Sequence, residues 1–205
     1  MSAEGMRYAC VNAAGWDAVC RGGCHMSDEI VYRHTIEGLF RSIGRRLTPD
    51  LRNKLRDAGL DLDVPIPRNT PRTVFAEVLR ITAQHLHPDA EVSEGYRQLG
   101  IGIIQGVEQT MLGKALVSMW PIFGPERVVV RIRESFATVN NYQKTELETQ
   151  GPAHHVIRVS ECNGNPGYLQ GIIEAGLTKA GARNLRVEPF DFDGHACSYR
   201  VRWEP

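Results

Sequence analysis

The chain has 205 residues, of which 42% are hydrophobic and 23% are charged, values typical of a folded globular protein. Equal numbers of basic and acidic residues, 24 each, argue against capture of nucleic acid or anionic membrane by net charge. There is no run of about 18 apolar residues and no N-terminal signal region. With an odd number of cysteines, five, these features predict a cytoplasmic protein without a membrane span and with reduced thiols.

The first 28 residues differ in character from the rest of the chain. They contain four residues of metal-binding type, which are Cys10, Cys20, Cys24 and His25. These are ligand types of a zinc site, and the last three form a lengthened haem-attachment pattern, but neither spacing matches a recognised motif. We therefore favour a disordered leader over residues 1–28, with Met26 as an alternative start, followed by a single domain over residues 29–205.

Five helices are expected between residues 35 and 137, where apolar side chains recur at helical spacing. Thr48 before Pro49, and Thr70 before Pro71, each place a capping residue ahead of a proline at the first helical position. The most apolar helical region covers residues 92–120 and is interrupted by glycines. These are Gly100, Gly102, Gly106 and Gly113. A glycine inside a helix costs about 1 kcal/mol relative to alanine, so these indicate close helix packing, which we favour, or a wall that makes room for a ligand.

After residue 140 the hydrophobic period changes from helix to strand. Two strands are predicted over residues 142–149 and 154–161, joined by a turn at residues 151–152. A helix follows whose apolar stripe is Leu169, Ile172, Ile173, Gly176, Leu177 and Ala180. Gly176 leaves a shallow spot where another backbone could approach, and Gly181 is expected to end the helix in the left-handed conformation.

The chain closes with a predicted β-hairpin. One strand covers residues 185–190, Asp193–Gly194 supplies the turn, and the returning strand alternates apolar and polar side chains. The apolar face of this strand consists of Cys197, Tyr199, Val201 and Trp203. The expected fold class is α+β: an N-terminal helical bundle packed on a roughly four-stranded antiparallel sheet, with a C-terminal helix and β-hairpin.

Two chemical interpretations carry little support in the sequence. Cys162 near His154 or His155 could form a thiolate–base pair, but a cysteine at a strand end is more often a small buried apolar residue, and we expect no catalytic site. A basic cluster is formed by Arg41, Arg45, Arg46 and Arg52. No aromatic platform or reading motif accompanies it, so no nucleic-acid partner is expected.

Several motifs resemble those of a family of unknown function described as restricted to myxobacteria. They are IEGLF at 36–40, LTP at 47–49, AGLDL at 58–62, LG at 99–100, TMLG at 110–113, NNY at 140–142, GY at 167–168, Gly171, and YRVRW at 199–203. The resemblance covers about residues 30–204 and defines a family without defining a reaction.

The C-terminal third is also similar to a wider group that holds 4-vinyl reductase-type domains, haem nitric-oxide-binding domains and TRAPP trafficking subunits. The likeness is carried by Cys162, Gly171, Gly194 and Cys197. It implies helices packed on an antiparallel sheet, often with an apolar pocket and often in a dimer. Only two of the thiols seen in the reductase-type domains remain, and the Tyr-x-Ser-x-Arg signature of the haem domains is missing, so no metal and no cofactor are expected.

The resulting functional hypothesis is a non-catalytic sensory or small-molecule-binding domain in signalling. Its pocket is expected between the glycine-bearing helix and the sheet, near Tyr96, Met111, Trp120 and Tyr168, because ligand pockets are mostly apolar with few polar groups. The alternative is a dimerising adaptor that needs no small ligand. The expected partners are thus an apolar small molecule and a second copy of the chain or another protein.

Overall fold

The computed structural model of the protein describes residues 29–109 and 111–205. The predicted leader, with its cysteines and histidine, lies outside the described residues. The helices are α1 (Arg33–Ile43), α2 (Pro49–Asp57), α3 (Arg72–Leu86), α4 (Val92–Glu108), α5 (Met111–Ser118), α6 (Trp120–Phe123), α7 (Pro125–Ala137) and α8 (Pro166–Lys179). The strands are β1 (Ile30–Tyr32), β2 (Asn69–Pro71), β3 (Thr145–Gly151), β4 (His154–Val159), β5 (Arg183–Phe190) and β6 (Cys197–Glu204).

The α+β prediction is confirmed: the helices of the N-terminal part meet a four-stranded antiparallel sheet of order β3-β4-β6-β5, with α8 inserted between its two hairpins. The apolar face of β6 is buried as predicted, and Tyr199 and Val201 are fully enclosed. One continuous apolar core therefore runs from the helices into the sheet. None of the described helices is long and apolar enough to cross a membrane.

The two threonine–proline signals have different outcomes. Thr48 caps α2 as predicted, since its hydroxyl accepts a hydrogen bond from the Leu51 amide at 3.2 Å. Thr70 does not cap α3: it lies in β2, opposite Val31 of β1, and its buried hydroxyl has no hydrogen-bond partner among the residues that the structure describes. Pairing with β1 holds this segment extended, so α3 begins at Arg72 after Pro71. Because the β1–β2 pair is so short, the sequence pattern did not predict it.

The long apolar region predicted over residues 92–120 is divided into α4, α5 and the short α6. Pro121 lies in the first turn of α6, where its missing amide hydrogen is tolerated and a continuous helix is not. The C-terminal elements follow the prediction more closely. Gly181 has a φ of +95° just beyond α8, and β5 starts two residues earlier than expected, at Arg183. The final hairpin loop spans residues 191–196, longer than a two-residue turn.

Candidate functional site

Helices α4 and α8 cross at very short range, with backbone against backbone. A Cβ placed on Gly100 would overlap the carbonyl oxygen of Tyr168 and lie 2.9 Å from the amide nitrogen of Ile172. A Cβ on Gly171 would overlap the carbonyl oxygen of Arg97 in the same way. The two helices thus contact each other backbone to backbone through glycines on both sides. The packing interpretation of the glycines is confirmed at this crossing.

The opposite end of α4 is packed similarly against α1. A Cβ on Gly106 would lie 2.7 Å from the carbonyl oxygen of Gly38 and 2.7 Å from the Cβ of Ser42. Gly176 behaves differently from the prediction, because it faces the ring of Trp120, 3.8 Å from where its Cβ would be. Within the described chain, no backbone of another element lies within 4 Å of that position. Glycines therefore fix the position of α4 between α1 and α8, while Gly176 accommodates a side chain.

A cleft of about 320 Å³ opens beside this crossing. It is lined by Ile101, Ile104, Gln105, Glu174, Ala175, Thr178 and Lys179. The volume is at the lower end of the range of about 300–1,000 Å³ found for small-molecule sites. Its floor is apolar and both helices contribute to it, so the glycine crossing that brings them together also shapes the cleft.

Ion pairs between the two helices flank the cleft. Arg97 contacts Glu174 at 2.5 Å at one end, and Lys179 contacts Glu108 at 2.6 Å at the other. Hydrogen bonds from Arg97 and Gln98 lower the pKa of Glu94 to about 2, and hydrogen bonds to Glu94 and Glu174 raise that of Arg97. Glu94 and Arg97 are therefore both charged at neutral pH. The cleft thus offers an apolar floor between two ion-paired ends.

The four residues predicted to line a pocket are spread along the helices. Tyr96 is buried, and its electrostatic neighbours are Arg80 and Glu77 of α3. Tyr168 is buried edge-on against Phe75, with ring centroids 6.2 Å apart. Trp120 contacts α8 at Gly176. At a rise of about 1.5 Å per residue, Gly176 lies about 12 Å along the axis of α8 from Tyr168. Of Met111 only the backbone is described. The cleft shares α4 with the predicted pocket but contains none of these four residues.

A buried polar cluster at one end of the sheet went unnoticed in the sequence. Glu161, 9% exposed, binds the guanidinium of Arg72 at 2.9 Å, the amide of Asn163 at 2.8 Å and Nδ1 of His195 at 3.2 Å. Tyr142 donates to the side-chain oxygen of Asn163 at 2.5 Å. The local signal in the sequence was the polar run around Glu161. Two of its partners, His195 and Arg72, are 34 and 89 residues away in the chain, so no local pattern could reveal them.

The two described cysteines lie together in the core, as free thiols. Cys162 hydrogen-bonds with Cys197 and with the hydroxyl of Tyr199 at 3.3 Å, and that hydroxyl also donates to the carbonyl of Pro166 at 3.0 Å. The hydrogen bond to Cys197, and then burial, raise the pKa of the Cys162 thiol. A thiol held protonated is a poor nucleophile, and the described contacts of Cys162 include neither His154 nor His155.

Three buried phenols, together with the partly buried Tyr142, make the stability of the protein sensitive to alkali. Burial raises the pKa of Tyr96 to about 12 and raises those of Tyr142, Tyr168 and Tyr199 further. An unfolded tyrosine ionises near pH 10, so the folded chain retains protons that the unfolded chain releases. The stabilisation is complete below about pH 10 and is lost as the pH rises towards 12.

An alkaline titration followed by phenolate absorbance and circular dichroism measures this effect. We expect these four phenols to ionise together with the loss of helical signal. Ionisation of all six tyrosines near pH 10, with the helical signal retained, would contradict the burial of these rings.

Comparison with solved structures defines the class of fold. The chain is similar to a single-residue variant of Tt H-NOX, with a TM-score of 0.59 and 14% identity over 84% of this chain and 94% of that one. It is also similar to an H-NOX protein from S. oneidensis in the Fe(II)NO ligation state, with a TM-score of 0.61 and 10% identity over 82% and 99% of the two chains. A third similar structure is the unliganded Fe(II) H-NOX protein from K. algicida, with a TM-score of 0.57 and 10% identity over 83% of this chain and 95% of that one. The architecture is thus that of an H-NOX-like α+β domain.

Within that fold class, the chain belongs to the family described as "Protein of unknown function (DUF2378)", whose model matches residues 29–204. No curated protein matches the sequence.

Neither His155 nor His34 fits the role of an axial haem ligand. His155 is the buried histidine of the described chain, and both its ring nitrogens are engaged, Nε2 with Glu126 at 3.0 Å and Nδ1 with Thr149 at 3.2 Å. Its ring also stacks on Trp203 with centroids 5.2 Å apart, so it has no nitrogen free for iron. His34 is exposed and lies in a cleft whose lining is otherwise Tyr32, Arg33, Glu37, Arg68 and Asn69. That polar lining does not provide the apolar walls that a porphyrin requires.

Proposed function

We propose that this chain is a non-catalytic, sensory small-molecule-binding domain whose ligand lies in the cleft between α4 and α8. The observation that carries the proposal is the cleft itself, which has an apolar floor and lies between two ion pairs that join α4 to α8. A floor of this kind favours an apolar or amphipathic molecule over a haem, since it presents aliphatic side chains and no free axial ligand.

Two further observations support this choice. The S. oneidensis relative in fold is described with a ligand, in the Fe(II)NO ligation state, so this architecture is compatible with ligand binding. In the described part of the chain, the two thiols hydrogen-bond with each other and with Tyr199, and the buried histidine hydrogen-bonds with Glu126 and Thr149. A binding role uses the apolar cleft and leaves these groups in their structural contacts.

Thermal unfolding with dodecanoate and with 1-dodecanol tests the proposal. A ligand present at 100 times its dissociation constant stabilises by about 2.7 kcal/mol, which for a chain of this size raises Tm by about 5–10 °C. The variant Thr178→Trp, which fills the cleft from an exposed position, should lose this shift. The control Gln84→Trp, on the exposed side of α3, should retain it.

A dimerising adaptor is the second candidate. It is favoured by apolar side chains exposed around α6 and α7, which are Met119 at 41%, Ile122 at 71% and Val130 at 58%. Native mass spectrometry of the protein from its own cells separates the two functions, because it reports both subunit number and any bound molecule. Concentration-dependent association, with no bound molecule and no thermal shift from either probe, would reject the ligand-binding proposal in favour of the adaptor.

A further inference from the structure

The solvent-facing side of the four-stranded sheet carries three cross-strand rows of side chains, of which two contain both acidic and basic residues. In one row Arg200 of β6 lies opposite Glu188 of β5, at 3.9 Å, and its guanidinium lies 4.7 Å from the ring centre of Phe190. In the next row Arg158 of β4 pairs diagonally with Glu148 of β3 at 2.8 Å. Each of these basic groups therefore has an acidic partner on the same face.

The third row is entirely basic. Arg202 of β6 lies directly opposite Arg186 of β5 on one side and His154 of β4 on the other. The β3 partner of His154 is Gly151, which adds no side chain. Two carboxylates flank the row along the strands: Glu188 forms a long ion pair with Arg200, and Glu204 accepts a hydrogen bond from Asn184. Within residues 29–109 and 111–205, no carboxylate forms an ion pair with Arg186 or Arg202.

Two arginines directly opposite each other in a sheet repel, because their Cβ atoms are only about 4.5–5.5 Å apart. The same spacing allows both guanidinium groups to reach one ligand. A guanidinium binds phosphate through two parallel hydrogen bonds. An oxyanion placed between the forks would replace the repulsion with two attractions.

The guanidinium of Arg202 is already oriented for this role. Its Nε donates a hydrogen bond to Nε2 of His154 at 3.1 Å, and among the described residues no other hydrogen bond engages its terminal amino groups. Burial, and then the charges of Arg202 and Arg200, lower the pKa of His154. The imidazole is therefore neutral at pH 7 and accepts this bond, which makes His154 a positioning residue for Arg202.

We propose that Arg186 and Arg202, with His154 orienting Arg202, form a binding site for the dianion of a phosphate monoester. The site is on the opposite face of the sheet from α8 and so is separate from the proposed ligand cleft. The phosphate belongs either to a soluble metabolite or to the headgroup of a lipid such as phosphatidic acid. Both sources present the same dianion to the two guanidinium groups, and the experiment separates them.

The test titrates inorganic phosphate and glycerol 3-phosphate into the full chain while the arginine Nε–Hε resonances are followed by NMR. In parallel, sedimentation with phosphatidylcholine vesicles that contain phosphatidic acid measures lipid binding. The variants Arg202→Gln and Arg186→Gln should each weaken binding at least about tenfold, as expected for the loss of a paired charge-assisted contact. The matched control Arg158→Gln, on the same face but ion-paired, should bind like the wild type.

Each outcome decides between the sources or against the site. Saturable shifts of Arg186 and Arg202 with soluble phosphates support a metabolite, and binding to the acidic vesicles alone supports a lipid headgroup. No binding in either arm, or equal losses in the Arg158 and Arg202 variants, overturns the proposal. Thermal unfolding without phosphate is a second readout: relief of repulsion should leave the Tm of Arg202→Gln equal or higher, whereas a merely structural arginine would lower it.

Discussion

Replacement of Gly171 by alanine should be among the most destabilising single-methyl changes in this protein. The new Cβ would overlap the carbonyl oxygen of Arg97 and lie 2.9 Å from the amide nitrogen of Ile101. These are backbone atoms of α4 and cannot rotate away as a side chain can, so the two helices must separate. Overpacking of a core typically costs about 1–3 kcal/mol, and with backbone on the receiving side we expect about 3 kcal/mol in denaturant unfolding.

A matched glycine in α4 provides the control. Gly102 also lies in the interior of a helix, but its Cβ would meet only the Ser42 hydroxyl at 3.8 Å. Because alanine is favoured over glycine in a helix by about 1 kcal/mol, Gly102→Ala should stabilise the protein slightly. If Gly171→Ala and Gly102→Ala changed the free energy of unfolding in the same direction, the backbone-to-backbone crossing would be wrong. The separation of α4 from α8 should also change the proposed cleft, which both helices line.

Replacement of Glu161 by glutamine should have a similarly large effect. The carboxylate is almost fully buried and binds Arg72, the Asn163 amide and His195. A neutral amide of the same shape leaves the half-buried guanidinium without its charged partner and brings an N–H group towards other donors. Removal of one member of a buried ion pair costs about 3–5 kcal/mol. Since Arg72 retains a second carboxylate, Glu29 at 2.6 Å, we expect about 3 kcal/mol.

Glu148→Gln serves as the matched change, because Glu148 also pairs with an arginine but is 46% exposed. Exposed pairs contribute about 0–1 kcal/mol, so this variant should unfold close to the wild type in the same urea titration. Equal losses in the two variants would show that the Glu161 cluster is solvated and that its contacts contribute little to holding α3 against the sheet.

The candidate site was only partly accessible from the sequence. The glycines of α4 stood out because each is costly in a helix, and close packing was the favoured explanation. Which glycine meets which backbone depends on α8, about 70 residues further along the chain, and no local pattern specifies that partner. The aromatic residues that suggested a pocket, such as Tyr96 and Tyr168, are distributed among separate contacts in the core. Buried aromatics fill cores as readily as they line sites.

Local periodicity and turn chemistry determined the order of the larger helices and of the four strands of the main sheet, the burial of alternate residues in β6 and the end of α8 at Gly181, because these depend on neighbours within a few residues. The tertiary structure decided the division of the apolar region after Glu108, the pairing of β2 with β1 in place of a helix cap, and the gathering of Glu161, Arg72 and His195. It also placed Arg186 opposite Arg202, since strand register arises from contacts between distant segments. Long-range packing decides which distant side chains come into contact. The candidate cleft depends on the packing of α4 against α8, and the proposed anion site depends on the pairing of β5 with β6.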